Sequence, residues 1–221
     1  MTKRRVGILI SGRGSNLGAL IEACRAPSFP AKIVLVISNV PSAQGLLRAE
    51  SALIPTRTVN HKDFPTREAF DETLDKALHE AGVEILCNAG FMRLHTEGFV
   101  KRWWDRHLNI HPSLLPAFKG LHTHERVLEA GARISGCTVH FVRPEMDEGP
   151  IIAQAAVPVL PDDTPDTLGA RVLEAEHRLY PLALGLVAAG KIRVEGERVV
   201  GMTQVRAQTP LFSPLPEVPF D

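Results

Sequence analysis

Apolar positions fall in short, nearly continuous runs, separated by stretches in which they recur every three or four residues. The run RVGILI (5–10) meets a glycine-rich SGRGSN (11–16) and then LGALIEACR (17–25), whose apolar spacing is helical, so the chain opens as strand, loop and helix. KIVLVISN (32–39) predicts a second strand, PTRTVN (55–60) a weaker one, and TREAFDETLDKALHEAG (66–82) a long helix. VEILCNAGF (83–91), TEGFVKRWWDR (96–106) and HLNIHP (107–112) continue as strand, helix and strand. Short, nearly all-apolar strands separated by helices are what a parallel sheet covered on both faces requires. The predicted fold class is α/β: a doubly wound, mostly parallel sheet with helices on both faces, in a single domain.

The second half is less regular. HERVLEAG (124–131) reads as a short helix, GCTVHFV (136–142) and PIIAQAAVPVL (150–160) as strands, and 166–189 as one long helix. KIRVEGERVV (191–200) predicts a hairpin turning at Glu195 and Gly196. No internal repeat or linker divides the chain, so residues 1–201 are expected to form one domain. Residues 202–221 form a proline-rich tail, read as extended coil over the surface.

Composition narrows the setting. At 221 residues and 24.2 kDa the chain suits one α/β domain and lacks the bias of disordered or fibrous chains. Lys and Arg number 25, as do Asp and Glu, so no net field draws the protein onto nucleic acid or an anionic membrane. An anionic ligand must be caught locally. Cys24, Cys87 and Cys137 are odd in number and without C-x-x-C spacing, which predicts small buried side chains in a reducing compartment and argues against a zinc site. The basic start is followed by too short an apolar run for a signal peptide, and LYPLALGLVAAG is too short to span a bilayer. The protein is therefore expected in the cytoplasm, with a homodimer left open.

The loop from Gly12 to Asn16 lies between a strand and a helix, where backbone N–H groups and the helix dipole favour an anion. It lacks the Lys-Ser/Thr ending of a nucleotide P-loop, and Leu17 stands where a dinucleotide fingerprint needs its third glycine. A single phosphate monoester fits better. The alternative is that Ser15 and Asn16 merely cap the helix.

In LNIHPSLLP (108–116), strand alternation projects Asn109 and His111 together while Ile110 turns into the packing, and Pro112 ends the strand. A third place is EMDEGPIIAQ, where Asp147 precedes Gly149-Pro150 on a loop feeding a strand. A carboxylate near an imidazole favours the protonated ring, a better partner for a developing oxyanion, although spacing alone does not bring Asp147 to His111. G-x-S-x-G and H-E-x-x-H are absent, and no cysteine looks reactive. His122 and His124 could join His111 or His140 in a metal cluster, but no carboxylate or thiolate stands at matching spacing, so hydrogen-bonding roles are preferred. Direct acyl transfer through a tetrahedral intermediate remains.

ISGRGSNLGALI, AGFMRL, NIHPSLLPAFKGLHTH, GCTVHFV, DEGPIIAQ and EHRLYP together resemble the phosphoribosylglycinamide formyltransferase family, folate-dependent enzymes of purine synthesis. The similarity runs to about Gly201 and implies a formyltransferase-like form of the predicted fold. It implies transfer of a formyl group from 10-formyltetrahydrofolate, the cosubstrate, to the amine of glycinamide ribonucleotide, without a metal. The catalytic residues would be Asn109, His111 and Asp147. Gly14, Ser15 and Asn16 would hold the ribonucleotide phosphate, and Leu173, Glu174, Ala175 and Glu176 would contact the same substrate. Folate contacts would fall on Arg67, Met92, Arg93, Leu94, His95, Asn109, Arg143, Pro144, Glu145, Met146 and Asp147. Arg67 reads equally well as part of a solvated helix face, Glu176 could sit on the wet face of its helix, and His95 is expected to contribute its backbone. Cys137 departs from the family pattern, standing where a small hydroxyl residue is expected.

Three rivals remain. A 10-formyltetrahydrofolate hydrolase would use water in place of the amine but carries an added N-terminal domain, whereas this chain begins at the first strand. A tRNA formyltransferase would need a basic surface. A catalytically silent phosphate or folate binder is the third.

Overall fold

The computed structural model describes residues 2–201 and Ser213. Seven strands form the main sheet: β1 (Arg4–Ile10), β2 (Ala31–Ser38), β3 (Thr56–Thr58), β4 (Ile85–Asn88), β5 (His107–His111), β6 (Ile134–Phe141) and β7 (Ile151–Pro158), in the order β3-β2-β1-β4-β5-β6-β7. Strands β1 to β5 pair in parallel, while β5–β6 and β6–β7 pair antiparallel. The chain works outward from β1 to β3 and returns on the other side at β4. This reversal opens a crevice between β1 and β4 at the carboxyl ends of the strands, where ligands bind in open α/β sheets.

Helices α1 (Ser15–Arg25), α2 (Gln44–Ser51), α5 (Thr123–Glu129) and α6 (Pro165–Ala188), with α3 (Arg67–Glu80) and α4 (Glu97–Arg102), complete the layers. Strand alternation sorts the core. Val6, Ile8 and Ile10 of β1 pack in one cluster with Leu17 and Leu20 of α1 and Leu179 and Leu184 of α6. Leu9 and Leu86 pack in the other with Phe70 and Leu74 of α3 and Phe99 of α4. Gly7 lets α3 approach closely, since a Cβ there would stand 2.8 Å from Leu78 Cδ2.

Three local differences from expectation have physical causes. Helix α2 falls between the second and third expected strands, where no element was assigned, and its amphipathic face buries Leu46 and Ala49. The helix expected over 96–106 stops at Arg102, with Thr96 capping its start by accepting the Phe99 N–H. The long helix begins at Pro165 behind a capping box of Thr164 and Thr167.

The hairpin is present as β8 (Ile192–Glu195) and β9 (Arg198–Gly201). Apart from Ser213, the proline-rich segment lies outside the described residues. Among the described residues no helix is long and apolar enough to cross a membrane. The three cysteines are free, and burial pushes the Cys24 thiol up to about 11 and those of Cys87 and Cys137 up to about 12.

Candidate active site

The loop after β1 reaches α1 through Gly14, whose φ of 68° is left-handed and whose Cα lies against Gly45. Neither Ser15 nor Asn16 caps the helix: no side-chain cap bond is made, so the alternative role expected for them is not what the chain adopts. The first-turn amides thus have no side-chain acceptor. Asn16 instead sends Nδ2 2.7 Å across to Glu176 Oε2 on α6, in a buried contact. Glu176 is buried, not on a wet helix face, and burial raises its carboxyl above the ordinary range although the Asn16 bond lowers it. Leu173 and Ala175 are half-buried and Glu174 is exposed.

On β5, Ile110 enters the core beside Leu108, and His107, Asn109 and His111 share the opposite face. Asp147 arrives from the loop between β6 and β7, with Oδ2 3.3 Å from His111 Nδ1. His111 Nε2 stands 2.9 Å from Phe118 O. One ring nitrogen faces a carboxylate and the other a carbonyl, so the doubly protonated imidazolium satisfies both. The link that sequence spacing left open is therefore present.

His140, which sequence reasoning considered only as a metal ligand, pairs with Asn109 across β5 and β6. Its Nε2 is 3.3 Å from Asn109 Nδ2 and 3.7 Å from Asp147 Oδ1. Burial lowers the His140 ring, partly offset by its bond to Phe141 O and by Asp147. A buried histidine needs a polar partner, but spacing along one strand does not say which. His122 is exposed, 3.6 Å from Glu125, and His124 packs its ring against Gly169, where a Cβ would stand 3.2 Å away.

The returning loop depends on two backbone features. A Cβ on Gly149 would stand 1.7 Å from Phe141 O, so only glycine allows the chain to fold back there. Asp147 has φ 59°, an uncommon conformation for its type, and Oδ2 accepts the Gly120 N–H at 2.9 Å. Arg143, expected among the folate contacts, has its side chain engaged by protein groups. It donates to Asp105 Oδ1 at 2.8 Å and Glu197 Oε2 at 2.9 Å, and stacks 3.8 Å over Trp104. A guanidinium between two carboxylates and an indole is stably satisfied there. Pro144, Glu145 and Met146 are exposed.

Met92 and Leu94, on the loop between β4 and α4, are 67% and 55% exposed, and Met146, on the loop between β6 and β7, is 48% exposed. His95 turns its ring inward between Phe91 and Phe99, with Nδ1 3.2 Å from Asp71 Oδ1, while Asp71 Oδ2 accepts the Thr96 N–H at 2.6 Å. Arg93 lies 5.9 Å over Phe70, and Arg67 is exposed at the start of α3.

A doubly wound sheet that gathers amide, imidazole and carboxylate over its carboxyl edge defines an enzyme able to carry a carbonyl through a tetrahedral intermediate. The chain belongs to the formyl transferase family, which it matches over residues 4–184. It is 44% identical over 187 residues to the phosphoribosylglycinamide formyltransferase of Escherichia coli (strain K12), covering 85% of this chain and 88% of that one. It is 54% identical over 192 residues to the trifunctional purine biosynthetic protein adenosine-3 of Gallus gallus, covering 87% of this chain but only 19% of that protein's length. The structure of glycinamide ribonucleotide transformylase 1 from Symbiobacterium toebii superposes with a TM-score of 0.89 at 46% identity, covering 91% of this chain and 95% of that one.

Proposed function

We propose that the protein transfers the formyl group of 10-formyltetrahydrofolate to the amine of glycinamide ribonucleotide. The products are formylglycinamide ribonucleotide and tetrahydrofolate, in purine biosynthesis. The observation that carries this reading is the Asp147–His111 contact beside Asn109, facing a crevice whose other wall holds an uncapped helix N-terminus. An anion site and an oxyanion site at one sheet edge suit a phosphorylated amine meeting an acyl donor.

The amine nitrogen attacks the formyl carbon, and the oxyanion takes its hydrogen bond from Asn109 and its charge balance from the His111 imidazolium. Asp147, held against the His111 ring, accepts the proton leaving the amine. The carbon–N10 bond then breaks, and N10 takes up that proton through the same carboxylate or a bridging water. No acyl-enzyme forms. Gly14, Ser15 and Asn16 hold the phosphate and Glu176 the sugar side of the ribonucleotide. The Met92–His95 segment, with Met92 and Leu94 exposed, and the exposed Pro144–Met146 segment embrace the folate, with Arg67 at its outer end. Both substrates are small molecules of the cytoplasm.

The deciding experiment follows tetrahydrofolate release from 10-formyltetrahydrofolate with glycinamide ribonucleotide, with the dephosphorylated riboside, and with neither. Turnover that needs the ribonucleotide and collapses for the riboside is expected. Equal turnover without an amine would instead identify a hydrolase, and no turnover a silent binder.

A further inference from the structure

Ser11, the residue between β1 and the anion loop, has no part in the chemistry above, yet its side chain joins three strand ends. The Ser11 hydroxyl accepts the Met92 N–H at 2.8 Å and donates to Asn39 Oδ1 at 2.6 Å. Its backbone N–H donates to Gly90 O at 3.1 Å. Asn39, 2% exposed, follows β2 and donates its own N–H to Ile10 O at 3.4 Å. Gly90 and Met92 follow β4. One serine therefore stitches together the ends of β2, β1 and β4, the last two of which flank the crevice.

The directions of these bonds are fixed. An amide N–H can only donate, so Oγ receives the Met92 proton and directs its own to Asn39. Asn39 is then oriented with Nδ2 3.1 Å from His61 Nδ1. On its other side Ser11 leads directly into Gly12, whose carbonyl accepts the Gly45 N–H at 3.0 Å and so ties the anion loop to α2. The Met92–His95 segment is held at one end by Ser11 and at the other by Asp71, with Arg93 and Leu94 between.

We infer that Ser11 is a positioning residue that couples the two substrate sites: a phosphate seated at residues 14–16 fixes Ser11, and its hydroxyl holds the Met92–His95 segment in the form that binds the folate. This rests on the functional reading above. A segment already ordered by the first ligand loses less freedom when the second arrives, so each substrate tightens the other by the same factor. With one neutral hydrogen bond carrying the link, that factor is about tenfold.

The test titrates tetrahydrofolate, which carries no formyl group to transfer, by calorimetry with and without saturating glycinamide ribonucleotide. In the wild type the ribonucleotide is expected to tighten folate binding about tenfold. Ser11→Ala should abolish that tightening while leaving affinity for the ribonucleotide alone unchanged, and Ser11→Thr, which keeps the hydroxyl, should restore it. The inference is overturned if Ser11→Ala keeps the wild-type tightening, if the wild type shows none, or if Ser11→Ala weakens each substrate alone and Ser11→Thr rescues neither. Turnover is scored separately: intact coupling without formyl transfer would defeat the functional reading and leave the Ser11 link standing.

Discussion

Asn109 Nδ2 lies 3.3 Å from His140 Nε2 on the adjacent strand, and His140 Nδ1 lies 2.9 Å from Phe141 O. The carbonyl can only accept, so the proton sits on Nδ1 and Nε2 is left to accept from the amide. His140 thereby decides which edge of Asn109 faces the cleft. Its burial keeps the ring neutral, the form this contact needs.

Loss of either oxyanion partner should be severe. Asn109→Ala and His111→Ala are each expected to lower kcat on the order of 100- to 1000-fold, with the folded state intact by circular dichroism. His140→Ala, acting through Asn109, should cost about tenfold in kcat with little change in either KM. Steady-state kinetics on the three variants check this, and near-normal turnover in Asn109→Ala or His111→Ala would defeat the catalytic assignment.

Burial lowers His140 and, more strongly, His107, whose Nε2 is 2.9 Å from Asn88 Oδ1. In the unfolded chain both take up a proton below about pH 6.5, and in the folded chain they resist it. The unfolded state then binds more protons, so stability is full above that pH and is lost as the pH falls towards the folded-state values. Urea midpoints should fall below about pH 6.5 in the wild type and fall less in His107→Gln. Identical acid limbs would contradict the account.

Glu176 shows the opposite sign. Its carboxyl is raised by burial, so the folded state holds the proton more tightly than the unfolded one, and stability is lost as the pH rises through the raised value. Glu176→Gln should therefore raise the thermal midpoint at neutral pH while increasing the ribonucleotide KM about tenfold through loss of a charged hydrogen-bond partner. A lower midpoint and an unchanged KM would remove Glu176 from the site.

Gly149→Ala tests the returning loop without touching any reacting group. The new methyl meets Phe141 O, and the loop must move to relieve the clash, carrying Asp147 from His111. A displacement on the scale of an ångström costs about 100-fold in turnover. The expected result is a folded protein with kcat reduced by about that factor, and full activity would show that the loop adapts.

The shared face of Asn109 and His111 was legible because a strand has a period of two and a proline marked its end. Asp147 was legible as a candidate but could not be placed, since a long loop carries no register. His140 escaped as the partner of Asn109 for a related reason: the pairing of β5 with β6 is set by tertiary packing, which spacing along one strand does not contain. The partners of the Arg143 side chain, Trp104, Asp105 and Glu197, lie far from it along the chain, so no local spacing could name them. His95 was expected to offer only its backbone to the site, and the ring does turn inward onto Asp71, a partner that no spacing rule supplies.

The order β1-β4-β5 sets a length. Adjacent strands stand about 4.8 Å apart, so β1, which feeds the glycine loop, and β5, which ends at His111, lie two spacings apart, roughly 10 Å across the sheet. On the proposed function, this strand order sets how far apart the phosphate and the reacting amine of the substrate are held. Such a measure resides in the hydrogen-bond ladder of the backbone. It survives side-chain changes that leave the ladder whole.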